Sequence, residues 1–100
     1  MPDSKALQWT ERAILDYEIL TEYLFVKWGE KIALRVLSEI DFQITRVKNH
    51  PLQFPVFIKQ NEIRRCVASA QTSIFFMIDS DKITLLSIFD NRLDPSKYPE

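Results

Sequence analysis

Arg64 and Arg65 stand together where a strand is expected to open, and Arg92 lies just beyond the end of the last expected strand. If those strands pair as antiparallel neighbours, the three guanidinium groups share one end or edge of a sheet. Such a cluster suits an anion, phosphate or partner carboxylate, because the planar guanidinium fork binds either in a bidentate manner. The competing assignment leaves the same arginines solvated, or paired with Glu62, Asp90 and Asp94, which are close in sequence.

The remaining reactive residue types are sparse. His50, the only histidine, precedes Pro51 at the end of a helical stretch, where a cation favours the C-terminal dipole. No cysteine or serine adjoins it to form a dyad, so capping or solvation is expected rather than acid–base work. Cys66, the only cysteine, falls in a strand pattern and is expected in the core. A single thiol excludes an intrachain disulfide and a zinc site of several thiolates. Asp79 and Asp81 fall in a turn and Glu30 and Glu39 on helices, so no metal site is assigned. One glycine removes the phosphate-cradling loops of nucleotide folds, and no cofactor is expected.

The elements that must position these residues follow from periodicity. A short strand is expected at Lys5 to Trp9, then a helix with Thr10 as N-cap and Glu11 at its positive end. Ala13, Tyr17, Leu20, Leu24 and Trp28 recur at helical spacing and form a core stripe. A second apolar stripe, Leu15, Ile19 and Val26, lies on the other side of the helix. It is either buried against a second neighbour or open as a partner surface. Gly29 separates this helix from the next, whose stripe is Ala33, Val36, Leu37, Ile40, Ile44 and Val47, with Phe42 off that face. The Asn49-His50-Pro51 breaker ends it. Pro51 to Gln60 reads as an irregular crossing segment, and Ile63 to Ala68, Thr72 to Asp79 and Lys82 to Asp90 as three antiparallel strands.

The fold class is therefore α+β: an N-terminal strand and a two-helix antiparallel hairpin packed on one face of a mainly antiparallel sheet. Residues 1–100 form one domain, since 100 residues suffice for one core. Apolar residues are 46% and charged residues 27%, which fits a globular chain. The net charge of -1 gives no whole-molecule attraction to nucleic acid. Met1 to Thr10 lacks the pattern of a signal peptide and no apolar run is long enough to span a bilayer, so a cytoplasmic protein without membrane contact is expected.

Several segments together resemble the RelE/ParE toxin superfamily, especially its ParE-like branch of plasmid stabilisation proteins. Trp9-Thr10-Glu11-Arg12-Ala13 resembles the family's opening, and Lys27-Trp28-Gly29-Glu30-Lys31 its inter-helix turn. Ile63-Arg64-Arg65 resembles the arginine pair opening its central strand. Ile88-Phe89-Asp90-Asn91-Arg92-Leu93-Asp94-Pro95 resembles its closing Ile-Phe-His-Gly-Arg-Arg-Asp-Pro pattern. The resemblance covers nearly the whole chain, in order and spacing.

The resemblance implies a helical hairpin on an antiparallel sheet and the toxin half of a type II toxin–antitoxin pair. Nucleases of the superfamily cut messenger RNA on the ribosome with basic residues on the sheet and a C-terminal Tyr or His, whereas ParE-like members lack that set and poison DNA gyrase. Here Asp90 replaces the closing His and Thr72 stands near a position that is often arginine in the nucleases. Arg65 and Arg92 supply cations, and Tyr98 beside Lys97 is the one aromatic able to substitute at the C-terminus. A non-enzymatic, gyrase-binding toxin is thus expected, with Arg64, Arg65 and Arg92 facing the target. A cognate antitoxin is expected to cover Leu15, Ile19, Val26 and Phe42. The alternatives are a ribosome-dependent messenger RNA endoribonuclease, and a non-toxic remnant that still binds antitoxin.

Overall fold

The computed structural model describes residues 6–93. Lys5, Asp94, Pro95, Lys97 and Tyr98, which figure in the sequence analysis, lie outside the described residues. The order is β1 (Ala6–Trp9), α1 (Glu11–Trp28), α2 (Glu30–Asn49), β2 (Val56–Ile58), β3 (Ile63–Val67), β4 (Thr72–Ile78) and β5 (Lys82–Asp90). The expected α+β architecture is present: two helices pack against a five-stranded sheet in the order β1-β5-β4-β3-β2. Only the β1–β5 pairing is parallel; the hairpins β2–β3, β3–β4 and β4–β5 are antiparallel.

Local chemistry explains the helix boundaries. The Thr10 hydroxyl accepts from the Ala13 N–H at 3.0 Å, satisfying one of the free donors at the start of α1. Gly29 has φ +86, a conformation in which a Cβ is strained, and it lets α1 end and α2 begin with a single residue between them. The helices run antiparallel, with the Tyr17 hydroxyl of α1 donating to Asp41 of α2 at 2.8 Å. His50 caps α2 through its backbone, donating its N–H to the Arg46 carbonyl. Among the described residues no helix is long and apolar enough to cross a membrane.

The core stripes are largely as expected: Ala13, Leu20 and Leu24 from α1, and Ala33, Leu37, Ile40, Ile44 and Val47 from α2, are buried on the sheet residues Cys66, Ile74, Phe76, Ile83, Leu85 and Ile88. Trp28 is a correction. It is 51% exposed, because it occupies the last turn of α1 beside Gly29, beyond Leu24, the last buried residue of the helix. Tyr17 is half-buried, its ring edge-on to Trp9. The stretch from Pro51 to Gln60 also departs from expectation: a 3₁₀ turn at Pro51–Gln53 leads into a short edge strand, β2. Pro55 hides it in sequence, although Val56-Phe57-Ile58 has strand-type side chains.

One irregularity positions the functional face. Phe75 pairs with Ser87 but Phe76 with Leu85, so Leu86 is an extra residue in β5. This bulge turns Leu85 and Ile88, three residues apart, both into the core. The start of α1 satisfies the displaced backbone groups: the Thr10 hydroxyl donates to the Leu86 carbonyl at 2.9 Å, and the Ile88 N–H donates to Asp16 Oδ2 at 3.0 Å.

Candidate functional site on the open sheet face

Helices cover one face of the sheet, and strand alternation sends Arg65, Phe75 and Phe89 to the other. There β2 to β5 and the start of α1 enclose a groove of about 520 Å³, lined by Phe57, Ile58, Ile63, Arg65, Ser73, Phe75, Leu86, Ser87, Phe89 and Arg12. Three rings form its floor: Phe57 and Phe75 lie 5.5 Å apart, Phe75 and Phe89 6.4 Å apart, inclined at 51° and 78°. Arg65 lies over the Phe57 ring, 5.1 Å from its centroid, and its Nε donates to Ser73 Oγ at 3.0 Å. Arg12, at the margin, is 3.0 Å from Asp16.

The three arginines singled out from the sequence do not meet. Arg64 and Arg65 are consecutive on β3 and project to opposite faces. Arg64 donates to the Phe54 carbonyl at 2.6 Å, tying β3 to the segment that follows α2. Arg92 is held by Asp90: its Nε and Nη2 donate to the two carboxylate oxygens at 2.9 and 2.7 Å. Thr72 donates to the same carboxylate, as does the Arg92 backbone N–H. Of the carboxylates weighed as partners for these arginines, Asp90 is therefore a partner of Arg92. Burial pushes the Asp90 carboxyl up, but the hydrogen bonds from Arg92 and Thr72 and the guanidinium charge outweigh it and hold it below the usual carboxylate range. The hydrogen bond that Arg92 donates to Asp90 likewise raises Arg92, against a smaller opposing effect of burial.

The second apolar stripe of α1 is open, with Leu15 52%, Ile19 47% and Val26 78% exposed. Within the described chain it is therefore not buried against a second neighbour. Phe42 is also exposed but lies elsewhere, on α2 in a recess with Ser38, Glu39, Gln43 and Ala68. Cys66 is buried, and burial pushes its thiol up to about 11, so it is protonated at neutrality and placed as a core residue. Sequence reasoning missed the aromatic floor. Its signal was the strand alternation of Phe75 and Phe89, but the bulge at Leu86 sets the phase of Phe89, and Phe57 could join them only through the unforeseen β2.

A helical hairpin on one face of such a sheet, with the other face open, defines the small α+β toxins of the RelE/ParE type. The sequence profile described as "ParE toxin of type II toxin-antitoxin system, parDE" matches residues 7–95, and the chain belongs to that family. Solved structures agree in fold. The ParE–ParD system of P. aeruginosa superposes with a TM-score of 0.75 at 20% identity, covering 88% of this chain and 97% of that one. The E. coli DinJ-YafQ toxin–antitoxin complex gives 0.63 at 6% identity, over 89% and 94% of the two chains. A YoeB/ParE toxin from Agrobacterium tumefaciens gives 0.60 at 14% identity, over 85% and 97%. No curated protein is similar enough in sequence to count as a match.

Proposed function

We propose that this ParE-family toxin acts in the cytoplasm by docking on a protein target, DNA gyrase, rather than by cutting messenger RNA, and that a cognate antitoxin neutralises it. The observation that carries the reading is the chemistry of the open groove. Cleaving RNA takes a group able to give and take a proton near neutrality, beside several cations for the phosphate. Among the described residues the groove lining offers two serines, two arginines and six apolar side chains. An arginine remains protonated throughout the physiological range and so cannot serve as the base. Asp90, at the position of the family's closing His, is buried and engaged with Arg92. Aromatic and arginine side chains concentrated in one depression are instead the composition of protein-binding hot spots.

For the antitoxin, α1 exposes the apolar side chains Leu15, Ile19 and Val26 on one side, with Glu22 between the last two, and Phe42 offers a separate anchor on α2. The E. coli relative is itself a toxin–antitoxin complex, which supports a partner of this kind. The experiment is a supercoiling assay with purified gyrase, toxin and antitoxin. Inhibition with trapped cleaved DNA, reversed by antitoxin, is expected. Unimpaired supercoiling at excess toxin would transfer the assignment to messenger RNA cleavage or to a non-toxic remnant.

A further inference from the structure

We infer that the open-face groove is the target-docking surface, and that it receives an acidic protein segment: an apolar side chain against Phe57 and Phe75, and a carboxylate on Arg65. This rests on the docking reading above and replaces a three-arginine surface with one arginine set among rings.

Arg65 is built to receive an anion. Its Nε donates to Ser73 Oγ and its guanidinium lies over Phe57, two contacts that order the fork without using its terminal nitrogens. Among the described residues Arg65 forms no ion pair, whereas Arg12 is paired with Asp16 and Arg92 with Asp90. A guanidinium already ordered in this way loses little further freedom when a carboxylate docks, so more of the charge-assisted hydrogen bond appears as affinity. Among the described residues no acidic side chain lines the groove, and Arg65 is its one cation outside an ion pair, on a chain whose net charge is -1. Complementarity therefore selects an acidic partner at this place.

The rings decide between protein and nucleic acid. A strand of bases stacks on successive exposed, sequence-tolerant aromatic faces, supported by a track of cations for its phosphates. Here neighbouring rings are inclined at 51° and 78°, so they pack against one another and the floor they form is not a continuous stacking platform. Two arginines, one of them already paired, make no phosphate track. No groove residue belongs to the Leu15, Ile19, Val26 stripe, so target docking and antitoxin binding are separable by mutation.

The test uses the full chain and its antitoxin, with Arg65→Glu, Arg65→Lys, Phe75→Ser and, on the outer side of α2, Arg35→Glu. Growth arrest on induction without antitoxin is read beside antitoxin affinity and binding of a short single-stranded RNA. Arg65→Glu and Phe75→Ser are expected to lower killing by at least about tenfold, the change that one lost anchor of 1.4 kcal/mol produces. Arg65→Lys should retain part of the activity, since it keeps the charge and loses the fork. Arg35→Glu and antitoxin affinity should be unchanged, and the RNA unbound. Full killing by Arg65→Glu would overturn the groove while leaving the toxin reading intact. RNA binding by the wild type that is lost in Arg65→Glu would overturn the protein partner. A wild type that never arrests growth would remove the docking reading and this inference together. Should Phe75→Ser fail to bind antitoxin, and so to fold, Arg65→Glu at the surface decides alone.

Discussion

The Asp90 carboxylate is buried and fully engaged by Arg92, Thr72 and a backbone N–H. Removing its cation should be costly, because a buried carboxylate left alone keeps its desolvation penalty. Arg92→Ala is expected to lower stability by about 3 kcal/mol in urea unfolding, and Asp90→Asn by less, since it removes the charge together with its need for a partner. The depressed Asp90 carboxyl fixes the sign of the pH dependence. Between its folded value and the ordinary value near about 4, the unfolded chain binds a proton that the native chain does not, so stability rises with pH there. The contribution is complete above the ordinary value and is lost as pH falls towards the folded one. Melting curves from neutrality to about pH 2 should show a steeper acid decline for wild type than for Asp90→Asn.

Elements in this chain are bounded by conformations that favour particular residues, and two substitutions read the same rule with opposite sign. Gly29 sits at φ +86 with nothing within 4 Å of where a Cβ would point, so Gly29→Ala meets only backbone strain. With ψ at 168 this is a region essentially restricted to glycine, and a loss of about 2 kcal/mol is expected. In the β2–β3 turn, Asn61 and Glu62 have φ of 65 and 49. Asparagine tolerates that region, but glutamate does not gain from it. Glu62→Gly is therefore expected to stabilise, or at worst to be neutral, the relief of strain opposing the greater freedom of an unfolded glycine. Urea midpoints for both variants check the pair. The helix limits were legible because Thr10, Gly29 and Pro51 act through neighbours in sequence. β2 and the Leu86 bulge were not, since both exist through pairing with distant strands.

At the scale of the whole molecule, two apolar surfaces of the described residues stand apart from the core: the α1 stripe outside and the aromatic groove on the far side of the sheet. Leu15→Glu with Ile19→Glu should leave folding within about 0.5 kcal/mol of wild type per site, because both positions are half exposed. The same double variant should weaken antitoxin binding by at least about tenfold while leaving growth arrest intact. Calorimetry with purified antitoxin measures the first effect and induction without antitoxin the second. Unchanged affinity would move the antitoxin surface away from α1, and Phe42→Glu then tests the recess on α2.

The sequence by itself determined the element order apart from β2, the two helical core stripes apart from Trp28, the Thr10 cap, the Gly29 break and the α+β class. These depend on side-chain period and on preferences that act over a few residues. The family, too, was legible in short segments kept in order. Only the tertiary structure decided which polar groups meet. Arg64 and Arg65 are neighbours in sequence yet face opposite ways, because a strand alternates. Arg92 is absorbed by a carboxylate that burial would otherwise penalise. Phe57, Phe75 and Phe89 come from three strands, and their union needed an edge strand and one extra residue in β5, features fixed by long-range pairing rather than by local preference.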